Sequence, residues 1–238
     1  MIPLILATVI AAAAPAPASK AGCPDVVTPD ALVCRALEAQ KAGDNEGAAQ
    51  SFEEAAKASP DKDPKTARMF AAAGNLWIAA SQPGKAAVDL DKALTLPGLE
   101  AEQRGEALLD RARAAEAQND LKTARAKANE AAASISDDPF YWYFSAALAI
   151  REGDAVAAKS AISKALTLAP SDPVILFEAG HVADFNGDDA GARSYWTRAA
   201  SSDPNGPVGK AAAKAIEMLG VTPTVMSDAQ QPATQPKS

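Results

Sequence analysis

The chain has 238 residues, of which 48% are hydrophobic but only 5% aromatic, and it carries a net charge of −7. Much of the hydrophobic content is alanine, which excludes one thick core of large side chains and favours close-packed helices. The acidic balance, with no run of Lys or Arg to offset it, excludes a nucleic-acid partner, because the phosphate backbone would be repelled.

The first predicted element is a cleaved signal peptide over residues 1–18, which carry no charged side chain. Ile2 to Ala14 is short and apolar, and Ala16-Pro17-Ala18 has the small-x-small form of a signal-peptidase site. The segment is too short and too interrupted by proline for a good membrane span. We therefore expect a periplasmic or secreted protein, cleaved after Ala18 and without an integral span. The alternative is an uncleaved apolar N-terminus on a cytosolic protein.

A lead-in over residues 19–28 follows, and it contains the first of two cysteines. Cys23 stands beside Pro24 in an extended stretch, and Cys34 lies in the first predicted helix. An even cysteine count in an exported chain favours a disulfide; two separate thiols are the alternative if export fails. Lipidation of Cys23 is disfavoured, because Lys20 stands where a lipobox carries an apolar residue.

From Pro29 onwards the sequence repeats. Residues 139–170 and 173–204 align without a gap at a period of 34. The matched pairs are Pro139 with Pro173, Gly153 with Gly187, Asp154 with Asp188, Ala158 with Ala192, Ala165 with Ala199, and Pro170 with Pro204. The same frame extends back to repeats that start near Pro29, Ala67 and Gly105. These starts imply two insertions, at Asp61 to Pro64 and around Pro97 to Glu100, which we expect in the turns between repeats.

The repeated positions have physical roles. Small residues recur where two helices cross closely, with large residues beside them. Gly or Asn followed by Asp marks the bend in repeats one, three, four and five, and Pro ends the unit in repeats one, four and five, whereas Gly98 and Ser136 stand there in repeats two and three. Over about residues 29–204 this pattern resembles the tetratricopeptide repeat (TPR) family. In the fifth repeat its positions 4, 8, 20, 24, 27 and 32 are Leu176, Gly180, Ala192, Trp196, Ala199 and Pro204. The resemblance implies an all-α fold, a right-handed α-solenoid of about five helical hairpins.

A further helix is predicted from Pro207 to Leu219, where it would cover the apolar face of the last repeat. Its inner stripe consists of Ala211, Ala212, Ala215, Ile216 and Leu219. A partner-binding helix is the alternative. The solenoid with this cap is expected over residues 29–220. Residues 221–238, rich in Pro, Ser, Thr and Gln, are expected to be disordered because they cannot bury enough apolar area.

Candidate catalytic groups are few. The chain has one histidine, His181, and two cysteines, and it has neither a zinc-ligand spacing nor a phosphate-binding Gly-rich loop. A Cys-His pair would be divided between opposite ends of the solenoid. We therefore expect no enzyme activity, no metal and no cofactor.

The resemblance also implies a concave groove lined by positions 2, 5, 9, 12 and 13 of the first helix in each repeat. Asn75 and Arg113 match residues that hold a C-terminal carboxylate in chaperone-binding relatives. The other positions of that clamp are occupied here by the apolar residues Val33, Leu37, Ala71 and Leu109, so the clamp is incomplete. Repeats four and five instead supply an aromatic wall, which suits an extended or helical apolar peptide. Its members are Phe140, Tyr143, Phe177, His181 and Phe185. Alternatively, some of these rings belong to the core between repeats, and His181 has no ligand role.

These expectations predict a non-catalytic scaffold or adaptor of the periplasm that binds a protein or peptide in its groove. One alternative is a structural or assembly subunit that builds an oligomer through its convex face or its ends. Another is a regulatory domain for a separate enzyme. The fold serves many unrelated partners, so it does not identify the partner.

Overall fold

The structure is a computed structural model, and it describes residues 22–219, which form eleven α-helices and no strand. The predicted signal peptide and the predicted disordered tail lie outside these residues. In chain order the helices are α1 Pro29–Lys41, α2 Asn45–Lys57, α3 Pro64–Ala79, α4 Pro83–Thr95, α5 Ala101–Ala117, α6 Leu121–Ile135, α7 Pro139–Glu152, α8 Ala155–Leu168, α9 Pro173–Phe185, α10 Asp189–Ser202 and α11 Pro207–Met218. In the described part of the chain, no helix is long and apolar enough to cross a membrane.

The first ten helices form five hairpins that stack one on the next. Within each hairpin the two helices pack together, and the second helix packs on the first helix of the following hairpin. The first helices also meet across the stack, α3 against α5 and α7 against α9. This arrangement is the predicted all-α solenoid.

The hairpin bends follow the predicted chemistry. Gly153 and Gly187 adopt left-handed backbone conformations, with φ of 77° and 75°, and each precedes an aspartate. Asp154 and Asp188 then accept hydrogen bonds from backbone N–H groups three residues later and so cap the second helices. Repeat two departs from this pattern, because a left-handed Ser81 makes its bend and no side chain caps α4.

The sequence suggested that the inserted residues lie in the turns between repeats. All of them do so except Pro64, which is the first residue of α3. α3 and α5 are 16 and 17 residues long, compared with 14 in α7 and 13 in α9. The insertions carry the caps of these longer helices, since Asp63 accepts from the backbone N–H of Lys65 and Glu100 forms a capping box with Gln103. Each insertion therefore widens a turn and also lengthens a helix, moving its start to Pro64 or Ala101.

The core is thin and depends on small residues. A Cβ atom added at Gly74 would overlap Leu90, and one added at Gly180 would overlap the indole ring of Trp196. Trp196 is only 3% exposed, and its indole N–H donates to the Phe177 carbonyl at 3.0 Å. The large residue at position 24 thus fills the space left by the small residue at position 8.

Both ends of the array are covered. At the C-terminal end, α11 packs on α10 and α9, with Ala212 fully buried in the cluster that contains Trp196. The predicted capping role is confirmed. At the N-terminal end, Cys23 and Cys34 form a disulfide, the first of the two sequence alternatives. Arg35 also ties the lead-in to α1 by donating to the carbonyls of Pro24 and Val26.

Candidate functional site: the concave groove

We call the side of the solenoid that carries the first helices of the five hairpins the groove; on this side α3 contacts α5, and α7 contacts α9. It has two parts of different character. The N-terminal part belongs mainly to α3 and α5, and the C-terminal part to α7 and α9. A side-chain bridge joins them, because Arg151 of α7 donates to the Glu116 carboxylate of α5 and, at 2.9 Å, to the Asn119 side chain.

Several charged and polar side chains in the N-terminal part are paired with one another. Asn75 and Arg113, the two candidate carboxylate ligands, both donate to Asp110, each at 2.8 Å. Arg68 contacts Glu100 at 3.4 Å and also donates to the Gly98 carbonyl. An incoming carboxylate would therefore have to displace Asp110, which is a further argument against a C-terminal carboxylate clamp.

Two cavities open in this part of the molecule. One, of about 480 Å³, lies over α3 and α5 and includes Asn75 and Asp110 in its lining. The other, of about 610 Å³, lies toward α1, where Val33, Phe52 and Met69 contribute apolar side chains. Arg68 borders both cavities. The family positions predicted Val33, Asn75 and Arg68 in the groove, but not Asp110 or Met69.

Aromatic side chains dominate the C-terminal part. Phe177 and His181 lie edge to face, with ring centroids 4.4 Å apart, and His181 also approaches the buried Trp196 at 5.5 Å. Tyr143 of the neighbouring α7 is half-buried and packs against the cores of repeats three and four. These three predicted rings therefore belong partly to the packing between helices, while each keeps some exposed surface.

The remaining two predicted rings are more exposed and lie apart. Phe140, 46% exposed, occupies the first turn of α7, whereas Phe185, 40% exposed, is the last residue of α9. They lie at opposite ends of two adjacent helices. The structure therefore shows a ring-to-ring contact between Phe177 and His181, whereas Phe140 and Phe185 lie apart from each other.

A buried carboxylate lies among these rings. Glu178 of α9 is only 7% exposed, and its one hydrogen-bonding contact among the described residues is with His181 Nδ1 at 3.5 Å. Burial raises the pKa of Tyr143, and the negative charge of Glu178 raises it further, while Arg113 opposes this shift. Sequence reasoning missed Glu178 because it stands outside the family's groove positions. The available signal was an acidic residue in the otherwise apolar run from Pro173 to Val182.

One group of potential metal ligands occurs in the described part of the chain, formed by Cys23, Cys34 and Glu38. The two sulfur atoms are bonded to each other, so neither offers the thiolate that a metal requires. These three residues therefore give no support for a metal site.

The fold agrees with several solved TPR-type structures. PilW, described as a widely conserved type IV pilus biogenesis factor, aligns with a TM-score of 0.65 and 19% identity over 78% of this chain and 82% of its own. MamA aligns at 0.58 with 18% identity over 82% and 98%. YrrB, described as a TPR protein with an unusual peptide-binding site, aligns at 0.54 with 17% identity over 77% and 91%.

At the level of sequence, no protein-family profile matches this chain, and no curated protein matches it. Identities below 20% establish the fold alone. The chain is therefore an all-α solenoid with a TPR-like fold.

Proposed function

We propose that this protein is a non-catalytic scaffold that binds a peptide or protein segment in the C-terminal part of its groove. The observation that carries the proposal is the set of partly exposed aromatic side chains on the first helices of repeats four and five. Aromatic anchors supply most of the energy at protein interfaces, since they bury large areas with few rotatable bonds.

The structural neighbours support this class of function. YrrB is described as having a peptide-binding site, and PilW as a biogenesis factor. Neither description names a reaction. The same fold in this chain, with aromatic rings along the groove, supports a role in protein interaction.

We also propose that the protein acts in the periplasm or outside the cell. The Cys23–Cys34 disulfide is compatible with an oxidising compartment, and residues 1–18 have the pattern of a signal peptide. N-terminal sequencing of exported protein is expected to begin at Ser19. A full-length chain retained in the cytosol would contradict this location.

The binding test begins with capture of partners from an envelope extract on the mature chain, followed by mass spectrometry. Affinities for the captured partner are then measured for Phe140→Ala, Tyr143→Ala, Phe177→Ala and Phe185→Ala. We expect Tyr143→Ala and Phe177→Ala each to weaken binding by about 2 kcal/mol or more. Phe140 and Phe185 are exposed enough that their removal should leave the fold intact.

Convex-face variants provide the control. Lys122 and Lys159 are exposed on α6 and α8, the second helices of their hairpins. Lys122→Ala and Lys159→Ala should bind as the wild type does, and circular dichroism should show that every variant folds. If the folded groove variants keep full affinity while the convex-face variants lose it, the assembly-subunit interpretation replaces this one.

A further inference from the structure

Glu178 differs from two groove carboxylates that have cationic partners. Asp110 is held by Asn75 and Arg113, and Glu116 by Arg151. Glu178 is more buried than Asp110 and Glu116, yet no Lys or Arg among the described residues pairs with it. A carboxylate taken out of water is costly unless a cation or several hydrogen bonds compensate it.

Its one polar contact compensates it poorly. His181 Nδ1 lies 3.5 Å away, at the outer limit of a hydrogen bond, and the histidine is charged only when it is protonated. The carboxylate therefore keeps unused capacity to accept hydrogen bonds from a strong donor.

The neighbours of Glu178 suit a cation. Phe177 and His181 stand on the same helix, one residue before and three residues after it. Tyr143 of the adjacent α7 packs against the buried cluster that includes Ile175 and Ala179 of α9, and the charge of Glu178 raises the pKa of its hydroxyl group. The faces of aromatic rings attract cations, and they do so more strongly where water is partly excluded.

We propose that Glu178, with Tyr143, Phe177 and His181 around it, binds the cationic side chain of an arginine or lysine in a peptide held by the groove. This set of four residues is called the acidic–aromatic site below. The inference rests on the proposed peptide-binding function and specifies the chemistry of the peptide. Arginine fits best, because its planar guanidinium group stacks on aromatic rings and donates two parallel hydrogen bonds to a carboxylate.

An acidic peptide fits this part of the groove less well. The negative charge of Glu178 would repel it, and Arg113 of α5 and Arg151 of α7 are already paired with Asp110 and Glu116. The net charge of the chain, −7, has the same sign. Charge complementarity therefore selects a basic residue flanked by apolar ones, the basic group for Glu178 and the apolar groups for the rings.

The first experiment is selection from a random display library of peptides of about twelve residues, carried out on wild type and on Glu178→Gln. Glutamine keeps the shape of the side chain but removes its charge. We expect wild type to enrich peptides with an arginine or lysine between apolar residues, and Glu178→Gln to lose the basic preference. Circular dichroism should show both proteins folded.

The second experiment measures affinities by fluorescence anisotropy with the best selected peptide and with its citrulline analogue, which is neutral but nearly the same shape as arginine. For the arginine peptide, Glu178→Gln should weaken binding about tenfold or more, whereas the citrulline peptide should bind both proteins equally. Asp189→Asn is the control, because Asp189 is an exposed carboxylate on α10, a second helix that does not belong to the groove. It should change affinity less than about twofold.

The outcomes separate this inference from the proposed function. Equal weakening of both peptides by Glu178→Gln would make the role of Glu178 structural and overturn the inference. Selected peptides without basic residues, whose binding still depends on Phe177, would overturn the inference and leave peptide binding intact. Selection of no peptide, or of peptides indifferent to both Tyr143 and Phe177, would overturn the two together.

Discussion

The two parts of the groove use charge in opposite ways. In the N-terminal part, Asn75 and Arg113 look like ligands for a carboxylate, but Asp110 of the same chain already binds them. In the C-terminal part, Glu178 is buried among rings and has only a long contact to His181. The residue type at a groove position therefore does not show whether that residue is free to bind a partner. What matters is whether another side chain, on the same helix or on a neighbouring one, already pairs with it.

The two parts also differ in how a tryptophan supports them. Trp77 of α3 is buried and donates to the Asp89 carboxylate at 3.0 Å, which places a titratable group in the core. Trp196 of α10 donates instead to a backbone carbonyl and packs against Gly180, under Phe177 and His181. The N-terminal core should consequently respond to pH, and the C-terminal core to changes in packing.

The largest expected effect is in the C-terminal part. Trp196→Ala should cost about 3–5 kcal/mol of local stability, because it leaves a cavity between repeat five and α11. Coupling in a solenoid runs between nearest neighbours, so the loss should concentrate in α9 to α11. Hydrogen exchange by mass spectrometry measures it. Tyr195→Ala, which removes a half-buried ring from the same helix, should cost less. An equal rise of exchange in α1 and α9 would contradict this division of the molecule.

The second-largest effect is expected at the opposite, N-terminal end of the array. Removal of the Cys23–Cys34 bond should cost at most about 3 kcal/mol, since it closes a short loop, with a sequence separation of 11. Reduction, or the Cys23→Ser and Cys34→Ser double variant, should release the lead-in and raise hydrogen exchange in α1. Exchange in α9 and binding of peptides to the acidic–aromatic site should not change. Quantitative alkylation of both thiols without reductant would show that the bond is absent.

A smaller effect distinguishes the two cores by pH. Burial, with a further contribution from the neighbouring charge of Glu53, raises the pKa of Asp89 to about 6, while the Trp77 hydrogen bond and Lys57 oppose the shift. Because this folded value exceeds the ordinary aspartate value, the native state takes up the proton between pH of about 4 and 6. The contribution of Asp89 to stability therefore falls as pH rises through that window, and the full penalty is present above it.

Asp89→Asn tests this behaviour, because asparagine keeps an acceptor for Trp77 without the charge. The variant should be more stable than wild type by about 1–2 kcal/mol at neutral pH and should lose that advantage at about pH 4. Denaturant unfolding across pH measures the difference. Glu54→Gln is the control, since Glu54 is exposed on α2. Parallel stability–pH curves for wild type and Asp89→Asn would contradict the prediction.

The smallest effect on stability is expected in the N-terminal part of the groove. Asp110→Ala should change stability by about 1 kcal/mol or less, since Asn75 and Arg113 are exposed and regain water. The substitution should also release both side chains. The variant should then bind a peptide with a free C-terminal carboxylate measurably more tightly than the same peptide with a C-terminal amide. Wild type should bind neither form in this part of the groove. Equal carboxylate binding by wild type and variant would show that Asp110 does not occupy the position.

Much of the architecture follows from residues that are close together in the chain. The bends at Gly153 and Gly187, the aspartate caps after them and the additional helix α11 depend on contacts within a few residues, so their pattern predicted them. The small and large positions also predicted that Trp196 fills the space beside Gly180, because the repeat fixes which helices meet. Asp63 and Glu100 lie in turns, as predicted, but the sequence pattern did not predict the longer helices that they cap.

The repeat pattern was enough to predict the hairpins, their number, the aspartate caps after the Gly and Asn bends and the aromatic character of the last two groove helices. Which groove residues remain free depended on how the neighbouring helices pack. The partners of Asn75 and Arg151 come from the neighbouring repeat, 35 residues away along the chain. The charge of Glu178 raises the pKa of Tyr143 only because α7 and α9 pack side by side. Local propensities specify each helix, but the satisfaction of a charged side chain depends on stacking and side-chain orientation, which no repeat pattern encodes.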